Sequence, residues 1–272
     1  MGVHSLIRRV QSRLSRAPGH LLWPPLNIGH RGAAGEAPEN TLAAFELALR
    51  QGADGVEFDV RLSADGMPMV IHDARLERTT SGSGWVGEHR ASALRRLNAG
   101  SWFNRRFPLR ARERYAGARI PFLSEVLGWA RDHKCRALVE IKEPAAVAKV
   151  VKEIEAAGLR SLAMVISFDL PTLRRARQLD PEIVLGMDIS RPAVGRLVVR
   201  RAKSLRAGAL LPHWAIATRR SIRRAHRNSL QVFAWAVDQP RWMRRKILDG
   251  VDGLLTNYPA RLTEVRARLA KP

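Results

Sequence analysis

Eight short apolar runs, most of them followed by a stretch with helical periodicity, leave this 272-residue chain few folds to choose from. The runs lie near 27–31, 55–60, 137–142, 163–168, 182–188, 208–213, 231–237 and 253–256, each bounded by Gly, Pro or Asp. Runs of this kind suit short strands buried in a core. The helical stretches lie near 40–51, 124–133, 145–157, 171–179, 192–205, 218–228, 240–249 and 259–269. Pro38 precedes a candidate cap at Asn40, and Pro144, Pro171, Pro240 and Pro259 fall at other helix starts, where the fixed φ of proline fits. Repeated strand-helix units imply a parallel sheet. Eight of them predict a closed (β/α)8 TIM barrel, a fold of ~250 residues. An open doubly wound sheet is the structural alternative. No G-x-G-x-x-G turn follows the first strand, which weakens a dinucleotide-binding reading.

One region breaks the alternation. Ser63-Ala64-Asp65-Gly66 reads as a hairpin turn that returns the chain through residues 67–71 to His72. A loop-rich stretch then runs to about Gly117, with Ser81-Gly82-Ser83-Gly84, Trp85, Trp102 and Phe103. Residues 62–118 are therefore expected as a small inserted subdomain after the second strand, within a barrel domain spanning 26–270. Strand-to-helix loops form the catalytic face of such barrels, so the insertion is expected to wall the substrate site. Trp85, Trp102 and Phe103 are expected to pack inside it.

Charge adds a second constraint. The net charge is +22, and only seven of the 47 basic residues are lysine. From 191 to 246 there are fifteen basic residues and a single acid, Asp238. Arg219, Arg220, Arg223, Arg224 and Arg227 fall along one side of a predicted helix, a docking face for anionic headgroups. No aromatic-plus-basic pattern marks a module that reads nucleic-acid sequence. In the N-terminal segment, 1–25, Val3, Leu6, Ile7, Val10 and Leu14 keep helical spacing among Arg8, Arg9, Arg13 and Arg16. That basic amphipathic stretch suits a membrane surface, a targeting peptide or an ordinary packed helix. No run approaches the ~18 apolar residues of a spanning helix. The one cysteine, Cys135, cannot pair internally and is expected to be buried. A cytoplasmic protein, in peripheral contact with an anionic membrane, is the expected location.

Polar residues at the ends of the early strands carry the chemistry: His30-Arg31, Glu57-Phe58-Asp59, His72-Asp73 and Glu140-Ile141-Lys142. Unpaired charge beside an apolar core is costly, so charge in these places points to a site. Glu57 and Asp59 are two apart on a strand and share a face. Glu140 on the next parallel strand converges with them in a barrel. Three carboxylates without Cys or His spacing favour a hard cation, Mg²⁺ or Ca²⁺, over zinc. His30 and His72 form a candidate acid/base pair, since imidazole titrates near neutral pH. Arg31 and Lys142 are candidate phosphate contacts.

The ordered set of motifs resembles the glycerophosphodiester phosphodiesterases. It comprises His30-Arg31-Gly32, Pro38-Glu39-Asn40-Thr41, Gly52-Ala53-Asp54, Glu57-x-Asp59-Val60, Asp65-Gly66, His72-Asp73 and Arg78-Thr79-Thr80-x-Gly82. Ile120-Pro121, Glu140-Ile141-Lys142, Ser167-Phe168-Asp169 and Gly250-Val251-Asp252-Gly253 follow in order. The resemblance covers about 26–262. It implies a (β/α)8 barrel with a subdomain inserted at the Glu57–Asp59 strand. It implies a divalent metal on Glu57, Asp59 and Glu140, acid/base roles for His30 and His72, and phosphate contacts from Arg31 and Lys142. The implied substrate is a small glycerophosphodiester, cleaved to glycerol 3-phosphate and an alcohol. A lysophospholipase D acting on membrane lysolipids is the alternative activity, and a non-catalytic phosphate or nucleic-acid binder the alternative class. Two stretches depart from the pattern. Leu255-Thr256-Asn257-Tyr258-Pro259 carries Asn where many relatives have Asp, and Ala234-Trp235-Ala236-Val237-Asp238 differs where Thr and Asn are frequent after the Trp.

Overall fold

A computed structural model describes residues 24–190 and 195–270. The amphipathic stretch 3–14 lies outside the described residues. The strands are β1 (Leu26–His30), β2 (Gly55–Leu62), β3 (Pro68–Val70), β4 (Arg136–Ile141), β5 (Ala163–Ser167), β6 (Leu185–Ile189), β7 (Ala209–Pro212), β8 (Gln231–Ala234) and β9 (Gly253–Thr256). All but β3 are parallel, in the order β1-β2-β4-β5-β6-β7-β8-β9, and β9 pairs with β1 to close the cylinder. The result is the (β/α)8 barrel expected from the alternation. β3 runs antiparallel to the end of β2, pairing Val60 with Val70, as the hairpin signal at 63–66 requires.

The helices are α1 (Leu42–Arg50), α2 (Ala91–Leu94), α3 (Ser101–Arg106), α4 (Leu123–Asp132), α5 (Val147–Ala156), α6 (Leu170–Leu179), α7 (Arg196–Ser204), α8 (Arg219–His226), α9 (Pro240–Asp249) and α10 (Pro259–Leu269). Their starts follow local rules. Asp169 caps α6 by accepting from Thr172 N at 2.8 Å, with Pro171 in the first turn. α9 stops at Gly250, whose φ of 98° lies in the left-handed region that glycine adopts without strain. The expected cap at Asn40 is a correction: Thr41 caps α1, its hydroxyl accepting from Ala44 N. The Asn40 amide is instead committed to Asp59, donating from Nδ2 to Oδ2 at 2.7 Å.

Strand alternation sorts the core into two layers. Val56, Phe58, Val60, Val139 and Ile141 face the helices and join Phe45, Leu127 and Val150 in one cluster. Full burial of such a side chain contributes about 1.5–3 kcal/mol. Leu26, Ile28, Leu138, Met164, Ile166, Ala209, Leu211, Phe233 and Leu255 point the other way and fill the barrel interior. Gly253 makes room there, since a Cβ at this position would stand 2.4 Å from the Phe233 ring. Cys135 is buried, and burial pushes its thiol up to about 12, so it is inert at neutral pH.

Between β2 and α4 the chain builds the inserted subdomain around two small cores. One joins Met69, Leu76, Val86, Leu94 and Ile120. The other joins Ala37 and Ala44 to Phe103 and Tyr115, tying the insertion to α1. Phe103 and Trp102 pack as expected, edge to face at 5.7 Å. Trp85 does not. It is 48% exposed, with the Arg75 guanidinium over its ring.

Candidate active site

Continuing each inward row of side chains by one alternate position leads from the apolar barrel floor to polar residues. Leu26 and Ile28 are followed by His30, Leu138 by Glu140, Phe233 by Trp235 and Leu255 by Asn257. Register brings the strands' acids together: Glu57 lies beside His30, and Asp59 beside Glu140. His30, Arg31, Glu57, His72, Glu140 and Lys142 line one cavity of about 160 Å³. Asp59 lies beneath them and is fully buried.

The three carboxylates offer oxygens that all lie within 4.8 Å of one another. Glu57 Oε1 is buried without a hydrogen-bond partner, and its Oε2 accepts from Arg31 N at 2.9 Å. Lys142 Nζ contacts Asp59 at 2.9 Å and Glu140 at 2.6 Å. The Arg31 guanidinium lies 3.3 Å from Asp59 and 2.8 Å from Glu39. Arg31 holds a φ of 53°, a left-handed backbone that costs a non-glycine residue about 1 kcal/mol or more. That turn aims its N–H at Glu57 and its side chain at Asp59.

Burial raises all three carboxylates, and their neighbours separate them. Glu57 is pushed well up by burial and then by Asp59 and Glu140. Glu140 rises to about 7, from burial and then Asp59. For Asp59, burial is outweighed by Lys142 and Arg31, which hold it far below the usual carboxylate range. A divalent cation relieves the repulsion among such groups, so the orphaned Glu57 oxygen and the all-oxygen donor set fit a hard metal.

The two imidazoles have different partners. His30 Nδ1 is 2.9 Å from Asn257 Oδ1, and its Nε2 is 3.9 Å from Glu57. Burial, then Arg31, lowers His30 to about 4. His72 Nδ1 is 2.6 Å from Asp73 Oδ1. Burial lowers His72 too, with Asp59 pulling the other way. Arg78 binds Asp73 and also, at 2.8 Å, both oxygens of Glu39. Glu39 therefore joins Arg31 of the barrel to Arg78 of the insertion.

Five further residues belong to this constellation and were not picked out as site residues from the sequence: Glu39, Arg78, Asp188, Asp238 and Asn257. Asp188 lies near the end of β6, lines the cavity, and has a buried Oδ2 without a partner. Its signal was present, as a charge inside the apolar run 182–188.

Oxygen donors beside fixed cations suit one class of chemistry, the hydrolysis of phosphate esters with a hard divalent ion. Residues 30–261 match the family described as "Glycerophosphoryl diester phosphodiesterase family". YhdW of Bacillus subtilis is 38% identical over 240 residues, covering 85% of this chain and 94% of that protein. A glycerophosphodiester phosphodiesterase of Caldanaerobacter subterraneus is 33% identical over 242 residues, with 87% and 96% covered. A phosphodiesterase of Oleispira antarctica, solved in complex with the product sn-glycerol-3-phosphate, superimposes with a TM-score of 0.81 at 29% identity, covering 89% of this chain and 96% of that one. The chain belongs to the glycerophosphoryl diester phosphodiesterase family, and it is a phosphoric diester hydrolase.

Proposed function

We propose that this enzyme cleaves small glycerophosphodiesters to glycerol 3-phosphate and an alcohol through a His30/His72 pair. The observation that carries the reading is that both imidazoles line one cavity with Arg31, Lys142 and the carboxylate triad. Each ring is anchored through Nδ1, which leaves Nε2 for the substrate. The product named for the Oleispira antarctica neighbour supports glycerol 3-phosphate as the product here.

Glu57, Asp59 and Glu140 would hold a divalent cation, Mg²⁺ or Ca²⁺, which when bound supplies electrostatic stabilisation to the phosphoryl oxygens. Arg31 and Lys142 bind the phosphate from the same cavity and offset the charge that grows on it. His30, held neutral, takes a proton from the attacking water as its oxygen bonds to phosphorus. The bond from phosphorus to the alcohol oxygen breaks, and His72 gives that oxygen a proton. Asp73 beside His72 supports the protonated ring this step needs, as a carboxylate partner does. Asp188 offers an acceptor to a substrate hydroxyl.

Among the described residues, no helix is long and apolar enough to cross a membrane. Peripheral contact with an anionic membrane is supported by α8, which leaves Arg219, Arg220 and Arg223 exposed, with Arg227 exposed just after it.

The decisive assay is alcohol release from glycerophosphocholine and glycerophosphoethanolamine, with and without EDTA. Turnover abolished by EDTA and restored by Mg²⁺ or Ca²⁺ is expected. A folded protein that shows none with either ion overturns the reading.

A further inference from the structure

Two of the departures from the family pattern, Asp238 and Asn257, face each other across a hydrogen bond. Asp238 follows β8 and Asn257 follows β9, so the closing strands of the barrel bring them together. Asn257 Nδ2 donates to Asp238 Oδ2 at 2.7 Å, and Asn257 N donates to Asp238 Oδ1 at 2.9 Å. Thr256 Oγ1 also donates to Oδ1, at 3.1 Å. The Asp238 carboxylate is thus filled from three donors.

This pairing leaves Asn257 one orientation. The Asp238 carboxyl oxygens serve as acceptors, so the amide turns its NH₂ toward Asp238. Its oxygen is then the atom facing His30 Nδ1 at 2.9 Å. A carbonyl oxygen also only accepts, so Nδ1 must carry the hydrogen. In a neutral ring, Nε2 then keeps its lone pair, and Nε2 is the nitrogen on the Glu57 side of the site.

We propose that Asp238 is a positioning residue for the reaction, which acts through the Asn257 amide to fix His30 as its Nδ1–H tautomer. The proposal rests on His30 acting on substrate as described above. It also accounts for the unlike partners of the two imidazoles. Asp73 places a carboxylate directly on His72, which favours a charged ring. Asn257 places a neutral amide on His30, with the charge one residue further away. The base is thereby oriented with the carboxylate held one residue away from its ring.

The test uses the full chain as wild type and as Asp238→Ala, His30→Ala, and the double exchange Asp238→Asn with Asn257→Asp. Two readouts are taken. Long-range proton–nitrogen NMR of the imidazoles, on metal-free protein in EDTA, gives the His30 tautomer independently of activity. The kcat and KM for glycerophosphocholine are measured with the activating ion. Wild type is expected to show the Nδ1–H form. Asp238→Ala is expected to lose that single tautomer and to lose kcat by on the order of 10²-fold, with KM changed little. That loss is less than the ~10⁴-fold of a fully mis-set tautomer, because Asp238 acts only through Asn257. The exchange keeps an acceptor on Nδ1 and should restore kcat to within a few-fold. An Nε2–H ring in wild type overturns the proposal, as does an Asp238→Ala protein with unchanged tautomer and kcat. If Asp238→Ala fails to fold, the exchange decides: its failure to hold the Nδ1–H form overturns the proposal. Full activity of His30→Ala would instead refute the role of His30, leaving the NMR result to judge the pairing separately.

Discussion

Asp188 tests how the cavity balances stability against function. The residue is 7% exposed, and Oδ2 has no hydrogen-bond partner. Burial pushes its carboxyl well above the usual range, and Glu140 and Asp59 push it further, with Lys142 opposing. Leaving a buried polar atom unpaired costs about 1–3 kcal/mol. Asp188→Asn leaves a polar atom in the same place but removes the ionisation that the folded state resists, so it is expected to stabilise the metal-free enzyme by about 1–2 kcal/mol at pH 7.5. At ~2.1 cal/mol/K per residue the unfolding entropy is about 0.6 kcal/mol/K, so Tm should rise by about 2–4 °C. The sign with pH follows from the raised value. Below about pH 4 the carboxyl is protonated in both states and contributes no penalty. Above that, the unfolded chain ionises while the folded one resists, so wild-type stability falls as pH rises. The advantage of Asp188→Asn should therefore be near zero at acid pH and grow toward neutrality. Urea denaturation in EDTA at pH 4 and pH 7.5 measures it. A variant that is destabilised, or whose difference is the same at both pH values, refutes the reasoning. KM for glycerophosphocholine should rise in the variant, since a substrate hydroxyl exchanges a carboxylate acceptor for a weaker amide oxygen.

Two other outcomes are expected. His30→Ala and His72→Ala should fold with wild-type circular dichroism and lose turnover by about 10²–10⁴-fold, the usual contribution of a positioned acid or base; near wild-type rates in either would remove that residue from the pair. The enzyme should sediment with vesicles containing anionic lipid and be released as salt rises, and Arg223→Glu with Arg227→Glu should weaken this without changing turnover of soluble glycerophosphocholine. Binding that ignores both salt and these arginines would exclude α8 as the contact.

The barrel was legible because its signals are local. Each strand is a short apolar run, and several helix starts carry their own Pro or capping residue. The Glu57 and Asp59 pairing followed from strand alternation alone, and Glu140 joined them because parallel neighbours in register put Asp59 beside Glu140. What escaped was set by tertiary geometry. The Asn40 position looked like a cap because it follows Pro38, yet its amide is taken by Asp59, whose burial demands a partner. Glu39 and Arg78 are 39 residues apart and meet only when the insertion docks. Asp238 and Asn257 read as two unrelated departures because their contact depends on how the turns after β8 and β9 stack. Asp188 obeys the same rule as Glu57, a carboxylate buried within an apolar strand.

The closure of the cylinder has a consequence for how activity emerges during folding. By Lys142 the chain already contains the carboxylate triad, both imidazoles of the cavity, and its Arg31 and Lys142. The residue that orients His30 arrives only with Asn257, and β1 completes its pairing only when β9 joins it. A partly folded or interrupted barrel would thus carry nearly the whole catalytic inventory with its base unset. Activity becomes a property of the finished ring, and the last strand laid down serves as the check on all those before it.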